Sequence, residues 1–224
     1  MNYDGGKNGE GVYQAIINQM PPHRVYVEAF LGSGAIMRRK RPAPVKNIGI
    51  EKDPVTAAAV KPLLASVDVI VGDALQLLPA IPAGKDVIIY ADPPYLMETR
   101  SCQRDLYRCE FSTVEEHTAL LQLAKSSPAM WMISGYWSDL YADLLSGWRL
   151  VTFQAQTRSG MRTECLWCNF PEPSELHDYS FLGANNTDRQ RIRRKKERWK
   201  NKLLRMSRLE RMAVLSAIRD ISVS

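Results

Sequence analysis

Asp86-Val87-Ile88-Ile89-Tyr90-Ala91-Asp92-Pro93-Pro94-Tyr95 is the stretch on which the fold turns. Its first six residues are nearly all apolar. A run this short, closed by turn formers, is a strand buried on both faces, as in a parallel sheet covered by helices. The two prolines fix φ, donate no N–H and force a rigid, extended exit from the sheet. The carbonyls of Asp92 and Pro93 are thereby left for a ligand, beside a carboxylate and an aromatic ring. That set suits a planar base bearing an amino group: acceptors take the amino hydrogens and the ring stacks on the base. The bland alternative is a strand-ending turn with a solvent-facing tyrosine.

Outward from this strand, short apolar runs alternate with helical stretches. Upstream, Val25 to Phe30, Asn47 to Glu51 and Val67 to Val71 are expected strands. Ala35 to Arg41, Pro54 to Leu64 and Ala74 to Leu78 are expected helices, the first stopped by Pro42 and Pro44. Downstream, Thr113 to Ser126 is an expected helix with Ser112 as N-cap, Ala129 to Ser134 a strand and Trp137 to Leu145 a helix. Trp148 to Gln156 and Thr163 to Phe170 are strands joined through Arg158-Ser159-Gly160-Met161. The alternation predicts an α/β, doubly wound open sheet.

The earlier strands end on residues that suit a nucleoside. Phe30-Leu31-Gly32-Ser33-Gly34 follows the first, where glycines allow close backbone approach to a ligand. Glu51 ends the second and is placed to bind ribose hydroxyls, with Asp53 as the weaker choice. Asp73 follows the third, where it accepts from an adenine amino group or merely caps a helix. All three fall at carboxyl ends of strands, where open α/β sheets bind ligands. Tyr136, after the fifth strand, is expected at the base pocket.

These motifs together, DPPY at 92–95 and FLGSG at 30–34, resemble the amino-methyltransferases that modify DNA adenine, especially the Dam-like class. Tyr3-Asp4-Gly5-Gly6-Lys7 is similar to that family's N-terminal motif, Glu28-Ala29-Phe30 to its entry into the cofactor loop, and Glu164 to Phe170 to its last catalytic strand. The resemblance covers about residues 3 to 170. It implies a Rossmann-like S-adenosylmethionine-dependent methyltransferase sheet over 1–180. Tyr3, Gly6, Lys7, Phe30, Gly32, Gly34, Glu51 and Asp73 would then bind S-adenosylmethionine, and Asp92, Pro93, Pro94 and Tyr95 would be catalytic. Hydrogen bonds to Asp92 and the Pro93 carbonyl would turn the amino lone pair toward the methyl group, and transfer would be a direct in-line displacement. In double-stranded DNA the adenine must leave the stack, and Tyr95 would hold it there.

The chain departs from that family in one respect. Dam-like enzymes carry a recognition segment between the third-strand acid and DPPY, whereas here only the 18 residues Ala74 to Ala91 intervene. Short or relaxed sequence specificity is the expectation, as in compact phage and prophage enzymes. Arg100, Arg104 and Arg108, in the loop after DPPY, are expected at phosphates. So is the tail. The chain carries +6 overall, yet Thr187 to Ser224 holds 13 basic and 4 acidic residues, leaving 17 and 20 elsewhere. Cation density of that kind addresses polyanions. Arg191, Arg193, Arg194, Lys195, Lys196 and Arg198 are the expected DNA contacts in a basic two-helix extension over 187–224. Leu209, Met212, Ala213, Leu215 and Ile218 recur at helical spacing in its second helix, so one face should pack on something, a second copy being the candidate.

Other classes are disfavoured. No apolar run approaches the roughly 20 residues of a membrane span, and Met1 to Glu10 lacks a signal pattern, so a cytoplasmic protein is expected. Cys165 and Cys168 form C-x-x-C, but on a strand residues three apart face opposite ways, which suits a metal poorly. They are expected as reduced core residues. An RNA or other-base amino-methyltransferase, an inactive DNA-binding module and a small-molecule or protein methyltransferase remain as alternatives.

Overall fold

A computed structural model describes residues 7–100, 109–157 and 160–223. Two compact units divide the chain, residues 1–179 and 180–224.

The first unit is built on a seven-stranded sheet. Its strands are β1 (Val25–Ala29), β2 (Lys46–Glu51), β3 (Asp68–Val71), β4 (Val87–Ala91), β5 (Met130–Gly135), β6 (Arg149–Thr157) and β7 (Gly160–Cys168), in the order β3-β2-β1-β4-β5-β7-β6. All neighbours are parallel up to β5, and β7 alone runs antiparallel, between β5 and β6. This is the Rossmann-like sheet expected from the strand–helix alternation. Order reverses between β1 and β4, so the crevice that open α/β sheets use for ligands lies above that pair.

β4 is buried at every position, as its unbroken apolar run requires. One face of the sheet packs Val27, Ala29, Ile89, Ala91, Trp131, Ile133 and Trp167 against helices α3 (Ala74–Leu77), α4 (Val114–Ser126) and α5 (Asp139–Leu144), through Ala74, Leu120, Leu121 and Tyr141. Ile16 and Ile17 of helix α1 (Val12–Ile17), together with Met20 and Ile36, are fully buried apart from that cluster. α1 was not foreseen, because six residues are too few for a helical period to stand out.

Local chemistry places several boundaries. Helix α2 (Pro54–Val60) starts on Asp53, whose carboxylate accepts from Val55 N and Thr56 N; Pro62 then tightens the chain into a 3₁₀ turn over Lys61–Leu63. α4 is capped by Thr113 rather than Ser112, in a reciprocal box with Glu116. The helix expected over Ala35–Arg41 is instead a series of turns. There Arg38 and Arg39 side chains compete for the carbonyls of Gly34 and Ala35, and Pro42 ends the segment before a second full turn can form.

The second unit contains α6 (Asn186–Arg205) and α7 (Arg208–Val223). Asn185 caps α6, its side chain accepting from Asp188 N at 2.9 Å. Gly183 sits at φ +141°, and a Cβ there would meet the Arg189 backbone at 2.6 Å, so only glycine allows this close start to the helix. Leu209, Met212 and Ile218 of the α7 stripe are exposed on the single chain. Among the described residues no helix is long and apolar enough to cross a membrane.

Candidate active site

Register brings the two sequence motifs together. Ala29 of β1 pairs with Ala91 of β4, so Phe30 and Asp92, the next residue in each chain segment, leave the sheet side by side. Ala91 also pairs with Ile133 of β5, which sets Ser134, Gly135 and Tyr136 on the other flank of DPPY.

The glycine turn is held in an unusual backbone path. Phe30 (φ 64°), Gly32 (φ 50°) and Gly34 (φ 61°) all adopt positive φ. For phenylalanine that conformation carries strain of the kind that concentrates at ligand sites. The Phe30 ring meets Phe111 edge-on at 4.9 Å. Glu51 braces the turn, accepting from Gly32 N at 2.8 Å and Asp53 N at 2.9 Å. Burial raises its pKa, and these amides work against that. Asp73 caps α3 through Leu75 N at 2.9 Å and pairs with Lys52 at 2.7 Å. Of its two expected roles, the helix cap is the one seen.

Lys7, expected among the cofactor residues, meets the Asp92–Tyr95 peptide. Its Nζ donates to Tyr95 Oη at 2.6 Å, pairs with Asp92 Oδ1 at 2.9 Å and lies 3.5 Å from Glu164 Oε2. It therefore contacts the Asp92–Tyr95 peptide directly, while its neighbour Asn8 reaches Ser33 of the glycine turn at 3.5 Å. Burial disfavours the Lys7 charge, but Asp92 and Glu164 outweigh it and hold the ammonium above the usual lysine range. Burial, with help from Glu164, pushes Asp92 up to about 6, and Lys7 opposes this. The carboxylate is thus poised near neutrality by one cation and one anion.

Tyr95 is fixed from three sides. Beyond Lys7, its ring meets Tyr136 edge-on at 4.5 Å, and its carbonyl accepts from Arg100 Nε at 2.6 Å. Arg100 also pairs with Glu110 at 2.8 Å and its side chain is 5% exposed. The expectation that Arg100 meets phosphate is corrected: it is turned inward as a brace for DPPY. Tyr3, Gly6, Arg104 and Arg108 lie outside the described residues. Arg191, Arg193, Arg194, Lys195, Lys196 and Arg198 lie along α6, in the other unit.

Three contributors escaped sequence reading. Glu164 and Arg162 sit two apart on β7, hence on one face; Glu164 meets Lys7, and the Arg162 guanidinium lies 4.4 Å over Tyr136. Glu164 could have been noticed as an acid abutting the buried half of its strand. Tyr90 donates to or accepts from Ser134 at 2.9 Å beneath Asp92. Cys165 and Cys168 are free and buried on β7, and burial pushes the Cys168 thiol up to about 12.

No family model matches the sequence. No curated protein matches it either. Among solved structures the chain is similar to an rRNA methylase from Streptococcus thermophilus, at 10% identity and TM-score 0.47, over 70% of this chain and 91% of that one. It is similar to magnesium protoporphyrin IX methyltransferase from Synechocystis with bound SAM, at 12% and 0.45, over 66% and 71%. It is also similar to precorrin 8w decarboxylase from Methanobacterium thermoautotrophicum, at 13% and 0.44, over 70% and 86%. The fold assignment stands on strand order and register, independently of these likenesses.

Chemically, the arrangement is a carboxylate of tuned basicity, a proline carbonyl and two tyrosines at the mouth of a crevice. A strained glycine turn lies alongside. Among the described residues no cluster of three or more metal-ligating side chains occurs.

Proposed function

We propose that this protein is an S-adenosylmethionine-dependent methyltransferase acting on the N6 amino group of adenine in DNA, with short or relaxed sequence specificity. The observation that carries the reading is the Ala29–Ala91 pairing, which sets the glycine turn beside Asp92-Pro93-Pro94-Tyr95 at the switch point of the sheet.

The residues present fit the cofactor. Ribose hydroxyls call for a buried carboxylate, and Glu51 is 7% exposed at the right strand end. Its two oxygens offer about four acceptor positions; the amides of Gly32 and Asp53 occupy two of them. Gly32 and Gly34 give backbone access, Phe30 supplies an apolar wall, and Asp73 stands at the third strand end. S-adenosylmethionine supplies an electrophilic sulfonium methyl group.

Asp92, as carboxylate, accepts one amino hydrogen of adenine, and the Pro93 carbonyl takes the other. Both bonds localise the nitrogen lone pair. Lys7 keeps Asp92 ionised at neutral pH. Tyr95 and Tyr136 form the aromatic wall for a base taken out of the duplex. The basic face of α6 contributes phosphate contacts.

Incubation of the protein with labelled donor and either DNA or RNA, followed by nucleoside analysis, tests this. Label in N6-methyladenine from DNA is expected; label only in RNA transfers the reading to that substrate. Absence of S-adenosylmethionine binding by calorimetry ends it. Asp92→Ala is expected to lose at least about a hundredfold in rate, the scale of a removed catalytic hydrogen bond, while still binding donor.

A further inference from the structure

The carboxyl end of β5 carries two aromatic residues, and the site as described uses only one. Tyr136 is half-buried between Tyr95 and the Arg162 guanidinium. Its neighbour Trp137 is 56% exposed. A single exposed ring is ordinary on a protein surface; what distinguishes this one is its place in the chain, directly after Tyr136.

The backbone carrying this indole is fixed. Gly135, two residues before Trp137, is paired with Cys165 of β7, which is buried. Ser138 is buried and caps α5, its Oγ accepting from Tyr141 N at 3.4 Å. An exposed ring on a rigid support, one residue from the aromatic wall, is preorganised for contact.

The hairpin of β6 and β7 adds a second boundary. β5 stops at Gly135, opposite Cys165, whereas β6 and β7 stay paired onward from Thr152–Cys165 to Thr157–Gly160. This overhang rises past the carboxyl end of β5, the end on which the site is built. It carries Arg162, which stacks on Tyr136 and reaches the Thr99 carbonyl at 3.5 Å. The hairpin is thereby tied to the segment that follows DPPY.

We propose that Trp137 is a nucleobase-stacking residue, its indole lying against an unstacked base next to the one held at Asp92 and Tyr95. This rests on the nucleic-acid methylation reading and names the contact that reading lacks. Every base presents a π-face, so stacking binds without reading sequence. That property matches a chain with only 18 residues between Asp73 and Asp92. A protein partner would call for an apolar patch around the indole, yet the residues that follow it are Ser138 and Asp139.

The test uses the full chain with Trp137→Ala and Trp137→Phe, a fluorescent adenine-containing deoxyoligonucleotide, single-stranded or in duplex, and the thermal midpoint of each variant. Trp137→Ala is expected to weaken single-strand binding about tenfold and to raise KM for DNA, while Trp137→Phe stays within about twofold of the parent. Should the alanine variant melt early, Trp137→Leu replaces it: apolar but unable to stack, it should lose affinity to the same degree. The proposal is overturned if a stably folded alanine or leucine variant binds both oligonucleotides like the parent, or if phenylalanine does no better than alanine. Stacking and methylation fail separately. A parent that methylates DNA alongside an unaffected Trp137→Ala defeats stacking alone. A parent that neither binds S-adenosylmethionine nor methylates, but whose oligonucleotide affinity depends on the ring at 137, defeats methylation alone.

Discussion

Lys7 Nζ and Asp92 Oδ1 lie 2.9 Å apart, joining the start of the described chain to the peptide that closes β4. The ion pair is largely buried, with Lys7 5% and Asp92 17% exposed in their side chains. Breaking such a pair leaves an uncompensated buried charge. Burial lifts the Asp92 pKa to about 6, and the Lys7 ammonium opposes that rise.

Methyl transfer should follow that titration. Asp92 accepts the amino hydrogen only when ionised, and its pKa stands at about 6. The single-turnover rate is expected to be flat above neutrality and to fall as pH drops through about 6. A rate unchanged down to pH ~4, where an ordinary aspartate titrates, would remove Asp92 from the chemistry.

Replacing Lys7 by Met should move that profile. The ammonium lowers the Asp92 pKa, while burial and Glu164 raise it. With Lys7 gone, burial and Glu164 are opposed by Tyr95 with no cation beside it, so the midpoint of the rate profile should move to higher pH. Activity at neutral pH falls and is partly recovered in alkali. Glu164→Gln should move it the opposite way. The comparison is three pH–rate profiles on the same oligonucleotide.

Glu28 gives a prediction for stability. It is buried on β1 beside Tyr26, whose hydroxyl donates to it at 3.1 Å. Burial pushes its pKa up from 4.5 to about 8, against the opposing hydrogen bonds from Tyr26 and the Met37 backbone. The folded state therefore keeps a proton that the unfolded chain releases above about pH 4.5. Stability contributed by the neutral carboxyl is full below that point and is lost as pH rises toward about 8, by up to about 1.4 kcal/mol per pH unit. Denaturant unfolding of Glu28→Gln should show a shallower decline over the same window.

The α6 surface should announce itself through salt. Arg194, Arg198, Lys202 and Arg205 recur at three- and four-residue spacing along it, so they share one face. Changing all four to Ala should weaken DNA binding and flatten log Kd against log salt by about 0.9 for each phosphate left unneutralised. An identical slope in the variant means that α6 does not touch the backbone.

The sequence by itself determined the strands and the chemistry at their ends. Apolar runs such as Val87–Ala91, the two prolines after them and the glycines at 32 and 34 are local signals, each set by a few consecutive residues and their backbone limits. The helix expected from Pro54 was equally legible, and in the structure Asp53 accepts its first amides. Tertiary structure alone decided which side chains meet. Lys7 reaches Tyr95 across 88 positions, Arg100 turns inward to the Tyr95 carbonyl rather than outward to phosphate, and β7 inserts antiparallel beside β5. From that insertion come Glu164 beneath Lys7 and Arg162 over Tyr136. Such meetings depend on strand order and register, which pattern along a chain does not encode, because they are settled by how whole faces bury against one another.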